Sequence, residues 1–145
     1  MPLVPLPTLI FEPLVRAALV EDFGRAGDIT TDAIIPADAK TTAALVSRQE
    51  GIVAGLDLAK LAFELMDRKI DFEVTKADGA RAAPGVTIAR ISGPARGILS
   101  AERVALNFLS RLSGVASATA ALDQMFARDR GDPSHVMQDY EGCVG

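Results

Sequence analysis

Tryptophan is missing from this chain, which carries one tyrosine, one cysteine and one histidine. Each shortage excludes something. A single thiol, Cys143, cannot close a disulfide within the chain. His135 and Cys143 together are too few soft ligands for a zinc site. His135 is also the only imidazole, so no Ser-His-Asp set can be assembled around another base. It falls in an irregular stretch, where a lone histidine is ordinarily solvated. No glycine-rich loop of the P-loop or dinucleotide type is present. A basic block is lacking too: the longest charged cluster, Arg128 to Asp132, alternates in sign. That argues against a nucleic-acid surface, which shows a Lys/Arg stripe. No apolar run approaches the roughly 20 residues needed to cross a bilayer. The start lacks the basic segment and small-residue cleavage site of a signal peptide. A cytoplasmic protein is the simplest reading. General acid-base or nucleophilic catalysis needs more than this inventory offers a chain acting alone.

What is there suits a packed domain. The 145 residues are 49% hydrophobic with a net charge of −4, so disorder is not the expectation. A domain of this size buries roughly 70% of its unfolded surface. With aromatics scarce, the core must be built from Leu, Val, Ile, Ala, six Phe and four Met.

The first eight residues hold three prolines and should be extended. Helical spacing follows, with Phe11, Leu14, Val15, Ala18 and Leu19 on one stripe. Pro13 then belongs in the first turn, because deeper in a helix it removes a hydrogen bond. Gly24 and Gly27 stop this helix, and the stretch to Pro36 is expected to be turn and connection, with Ile34 and Ile35 candidates to dock inward. Residues 41–48 read as a strand, which Ile52 to Ala54 could extend. Leu58, Ala59, Ala62, Phe63 and Met66 give a helix over 56–67. In 70–75, Ile70, Phe72 and Val74 alternate with Asp71, Glu73 and Thr75, which predicts a strand with one wet face and hence an antiparallel sheet. Asp78-Gly79 is a turn signal, and 86–91 is another strand. Ser100 is a candidate N-cap for a helix whose stripe is Ala101, Val104, Ala105, Phe108, Leu109 and Leu112. Ser113-Gly114 should interrupt it, with a second helix over 115–127.

The order predicts an α+β fold: an open-faced sandwich of antiparallel strands with helices on one face, followed by a C-terminal helix pair. Its domains are an N-terminal unit over 1–114, the helix 115–127, and an irregular tail over 128–145 without amphipathic period. The exposed sheet face and the C-terminal helices would need partners.

Two stretches invite more than one reading. Glu21 to Asp32, EDFGRAGDITTD, packs acids, glycines and threonines at a helix end. It can be a helix stop and turn in which Asp28 and the threonines bond backbone amides. Leu99 to Ala116 places Arg103 and Asn107 one turn apart beside an apolar stripe. Arg103 can be a plain exposed residue, or a planar fork of donors for a carboxylate ligand.

Together these stretches resemble quinolinate phosphoribosyltransferase, also called carboxylating nicotinate-nucleotide pyrophosphorylase. The carrying segments are EDFGRAGDITTDAIIP (21–36), QEGIVAGLDLAKLAFE (49–64) and GPARGILSAERVALNFLSRLSGVA (93–116). A similar-looking protein of molybdenum-transport gene clusters is the alternative, which the GDITT stretch disfavours. The resemblance implies an N-terminal open-faced sandwich followed by a catalytic α/β barrel, working as a dimer or higher assembly in which one subunit's sandwich caps its partner's barrel. It implies transfer of a phosphoribosyl group from phosphoribosyl pyrophosphate to quinolinate, with Mg²⁺, giving nicotinate mononucleotide, pyrophosphate and carbon dioxide for NAD synthesis. Arg103, in S-A-E-R, matches the arginine that binds a quinolinate carboxylate in the partner subunit's site. Glu102 and Asn107 match the motif as structural residues.

The family's T-R-K-T-T-P-G motif has no counterpart here, and 128–145 looks unlike a family segment. A truncated gene or shifted reading frame would explain that change. The expectation is therefore a substrate-capping and dimerisation domain, inactive alone, with no catalytic residue, metal ligand or cofactor of its own. Mg²⁺ and phosphoribosyl pyrophosphate would belong to the complete enzyme. The alternative is an interaction module that binds a full-length relative or itself.

Overall fold

The computed structural model describes residues 3–24 and 28–129. Its first helix, α1, spans Thr8–Phe23 and buries Phe11, Val15 and Leu19 at successive four-residue steps. Pro13 is not in the first turn as expected. The helix begins earlier, with the Ile10 amide bonding the Pro7 carbonyl at 2.9 Å, so Pro13 lies inside it. Burial of Phe11 holds that leading turn in place despite the hydrogen bond that proline forfeits. Gly24 ends the helix with φ 60°, its amide bonding the Val20 carbonyl.

The expected turn after it is in part a short helix, α2 (Ile29–Ile34), capped by Asp28. Ile34 does not dock inward; it is exposed, and Ile35 is half-buried.

Three strands form one antiparallel sheet in the order β1 (Lys40–Val46), β5 (Thr87–Pro94), β3 (Asp71–Val74). A second antiparallel pair joins β2 (Gly51–Ile52) to β4 (Arg81–Ala82), a strand the sequence reading lacked because two residues show no periodicity. Leu45 pairs with Ala89 but Val46 with Thr87, so Ile88 is a bulge residue. The bulge lets consecutive residues, Ile88 and Ala89, both face the core. Phe72 stacks at 5.8 Å from Phe63, which is 1% exposed. Burying such a ring contributes roughly 1.5–3 kcal/mol. Val74, at the strand end, stays 46% exposed. The opposite face carries Thr42, Asp71, Glu73 and Arg90, all exposed. Polar side chains of this kind are compatible with contact to water.

Helix α3 (Leu56–Met66) buries Leu56, Ala59, Ala62 and Phe63. Its first amides are capped from afar: Gly55 and Leu56 N–H groups donate to the Asp78 carboxylate, each at 3.1 Å. The expected turn at Asp78-Gly79 thus also starts a helix.

The largest departure is α4, one unbroken helix over Ala95–Asp129. The expected C-terminal helix pair is absent. Ser113 does not interrupt, because its hydroxyl is occupied: it accepts from the Ala54 amide at 3.0 Å. Ser117 accepts likewise from the Ile52 amide at 2.8 Å. The serines satisfy the edge of the β2 segment, so polar residues sit on an inward face without ending the helix. Nor is Ser100 an N-cap, since α4 starts five residues before it, at Ala95. The first part of α4 buries Ile98, Ala101, Val104, Ala105 and Leu109. Beyond Ala120 every described side chain is exposed.

The layers follow. Helix α4 packs on β1 and β5, α3 on β3, and α1 on α3 and α4. Helices on one face of an antiparallel sheet are the expected α+β sandwich. The irregular-tail reading of 128–145, with His135 and Cys143, falls largely outside the described residues; Arg128 and Asp129 are helical.

Candidate functional site

The two ends of the connection between α1 and α2 meet one turn of α4. At the far end of the connection, the Asp28 Oδ1 accepts from the Thr31 amide at 3.0 Å, an N-cap bond. Its Oδ2 accepts from the Thr31 hydroxyl at 2.6 Å and from the Ser100 hydroxyl at 2.8 Å. The Thr31 hydroxyl and amide, then the Ser100 hydroxyl, hold the Asp28 carboxyl below the ordinary carboxylate value, with the nearby Arg103 charge adding to them. Asp28 is therefore ionised near neutrality and a poor proton acceptor there.

Ser100 and Arg103 are three positions apart on α4, hence neighbours on one face. At the near end of the connection, Asp22 lies in the last turn of α1. Its Oδ1 lies 3.4 Å from Arg103 Nη1. The Arg103 side chain is 77% exposed and that of Asp22 24%. One guanidinium nitrogen is thus engaged at long range, and the rest of the fork faces solvent.

Arg96, earlier on α4, closes the other end of α2. Its Nε donates to the Ile35 carbonyl at 2.7 Å and its Nη2 to the Asp32 carbonyl at 3.1 Å. Its Nη1 also lies 3.5 Å from the Asp32 carboxylate. Cationic donors at helix-end carbonyls satisfy groups the helix leaves unpaired.

The sequence reading picked Arg103, and the structure sets it beside Asp22 and Asp28. Ser100, Asp22 and Arg96 had no such assignment. All three stand inside the quoted motifs, but nothing in their spacing shows that the motifs touch. Glu102 and Asn107 are exposed on α4. Glu102 borders an open groove of about 940 Å³ between α4 and the stretch from Ala44 to Val53.

Among the described residues there is no histidine or cysteine, and no group of three side chains suited to a metal. No helix among them is long and apolar enough to cross a membrane. The arrangement can present one guanidinium to an anion. It holds no nucleophile paired with a base.

Residues 28–113 match the sequence model of the quinolinate phosphoribosyl transferase N-terminal domain. That span includes Asp28, Arg96, Ser100 and Arg103 and leaves Asp22 outside. The chloroplastic carboxylating nicotinate-nucleotide pyrophosphorylase of Oryza sativa is 39% identical over 139 residues, 96% of this chain and 36% of that protein. The Mycobacterium leprae protein of that name is 38% identical over 109 residues, 74% of this chain and 38% of that one. The first of these alignments leaves only about six residues of this chain out, so it runs into the segment 128–145. Among solved structures, NadC from Streptococcus pyogenes superposes with TM-score 0.80 at 35% identity, covering 84% of this chain and 43% of that one. The nicotinate-nucleotide pyrophosphorylase of Francisella tularensis gives 0.78 at 34% identity, covering 85% and 44%. The chain thus spans between about a third and just under half of the length of these relatives. It belongs to the quinolinate phosphoribosyl transferase family, matching its N-terminal domain.

Proposed function

We propose that this chain acts as the substrate-capping and dimerisation domain of a carboxylating nicotinate-nucleotide pyrophosphorylase, presenting Arg103 to a carboxylate of quinolinate in a site completed by a partner subunit's barrel. The observation that carries this is the Arg103 guanidinium: 77% exposed, steadied by Asp22, on the surface where the two family motifs meet. Planar bidentate donors suit a carboxylate. One guanidinium cannot by itself bring two polyanions together or stabilise the charge of departing pyrophosphate. The isolated chain is therefore inactive on this reading.

The Mg²⁺ implied by the family finds no fit among the described residues near Arg103. Both oxygens of Asp28 accept from Thr31 and Ser100, and one oxygen of Asp22 faces the Arg103 cation. Mg²⁺ favours free carboxylates and phosphate oxygens. The single cysteine is compatible with the cytoplasm and equally with the organelles named for the plant relatives, which are chloroplastic or mitochondrial.

The test is turnover. The purified chain with quinolinate, phosphoribosyl pyrophosphate and Mg²⁺ should form no nicotinate mononucleotide. Product that disappears on Arg103→Ala would overturn the inactivity. Mixed with a full-length relative whose own S-A-E-R arginine is substituted, the chain should restore turnover, and Arg103→Ala should not.

A second reading is an interaction module that pairs with a relative or with itself. Exposed Val115, Leu122, Met125 and Phe126 on the far part of α4 favour it. Restoration of turnover in the mixture would separate the first reading from simple self-association.

A further inference from the structure

We propose that Asp22 and Asp28 are positioning residues for Arg103, together fixing where its guanidinium stands before any ligand arrives. The inference rests on the reading of Arg103 as the carboxylate-binding group. It starts from the two ends of the connection between α1 and α2. Asp22 reaches Arg103 directly, Nη1 to Oδ1 at 3.4 Å. Asp28 reaches Ser100, one helical turn before Arg103, at 2.8 Å. One acid therefore steers the tip of the arginine, and the other ties down the turn that carries its backbone.

The two contacts differ in kind. The Asp28 carboxylate also caps α2 through the Thr31 amide and hydroxyl, so its position is set by three donors. It acts on Arg103 through the helix. The Asp22 contact is long, and Arg103 is mostly exposed, so it adds little to folding stability. What a weak, one-nitrogen contact can do is select a rotamer among the many open to a free arginine. It leaves the remaining N–H donors unspent for an incoming carboxylate. A side chain held in this way loses less freedom on binding than an unheld one, which corresponds to about two- to tenfold in affinity.

The experiment reads the guanidinium itself in the full 145-residue chain. The Arg103 Nε resonance is assigned by its disappearance in Arg103→Lys. Rotation about Nε–Cζ is then measured in the unsubstituted chain, in Asp22→Asn and in Ser100→Ala, a helix-compatible change that cuts the Asp28 link without removing the α2 cap. Rotation severalfold faster in both variants, with helical circular dichroism retained, is the expected result, and Asp22→Glu should restore slow rotation. Rotation unchanged in either variant would overturn the proposal. A structural role alone would move the unfolding midpoint and leave this rotation as it was. The readout contains no ligand, so failure of the Arg103 reading shows elsewhere: as restored turnover in the mixed assembly that survives Arg103→Ala.

Discussion

Ser100 donates its hydroxyl to the Asp28 carboxylate across 72 positions of sequence. This bond joins the GDITT segment to the SAER helix. It also explains why α2 forms at all: six residues are too few to hold a helix alone, and this one is fastened at both ends. Asp28 caps its start while Arg96 takes the carbonyls at its end.

Removing either member of the pair should therefore cost stability. Ser100→Ala should lose about 1 kcal/mol, a typical hydrogen-bond contribution. Asp28→Ala should lose more, because about 1 kcal/mol of N-cap stabilisation goes as well. In urea unfolding the double variant should fall short of the sum, since both single changes break one shared bond. Strict additivity would show that the two residues do not interact.

Acid should erase the difference Asp28 makes. Its folded carboxyl titrates below the ordinary value of 3.8. A lowered folded value means stability present above the unfolded value and lost as pH falls through the folded one. Unfolding midpoints of the unsubstituted chain and Asp28→Asn should differ near neutrality and converge below 3.8. A gap that stays constant into acid would mean the ionised form is not what Thr31 and Ser100 hold.

Where one period ran cleanly, the sequence was a sufficient guide. The spacing of Ala59, Ala62, Phe63 and Met66 marks α3, and the alternation around Phe72 marks β3. The antiparallel sheet and its helical cover follow from these. The misreadings share one cause: the deciding partner lies far away in sequence. Ser113-Gly114 looks like a break because nothing local shows that Ser113 bonds Ala54. Ser100 looks like a cap because its partner is Asp28. Pro13 looks confined to a first turn because the burial of Phe11, which extends α1 toward its start, is a tertiary fact. The motif singled out Arg103, but nothing in the sequence placed Asp22 beside it.

Gly93 is required where β5 passes the chain before β3. Its φ is 142°, and an added Cβ would lie 2.9 Å from the Lys69 carbonyl oxygen and 3.0 Å from Ile70 Cα. Those are backbone atoms, which cannot rotate away. Gly93→Ala should cost about 1–3 kcal/mol, from strain at a positive φ together with that crowding. Thermal unfolding by circular dichroism checks it. An unchanged midpoint would mean that the strand shifts freely at this point.

The far part of α4 should make the chain self-associate. Val115, Leu122, Met125 and Phe126 are 61%, 54%, 65% and 62% exposed. From 115, steps of seven and four reach 122 and 126, so these side chains share one side of the helix. A helical stretch with no tertiary cover has only propensity to hold it, which is marginal in water. Pairing with a second copy would bury the row and hold the helix at once. Light scattering at tens of micromolar should give a mass above the 15.2 kDa of one chain. Leu122→Glu with Phe126→Glu should return it to the single-chain mass, because charges in a buried row are costly. A single-chain mass without substitution would overturn the expectation. An assembly that survives those changes but falls to Leu14→Glu would move the contact to α1, whose outer side leaves Leu9, Leu14 and Val20 exposed.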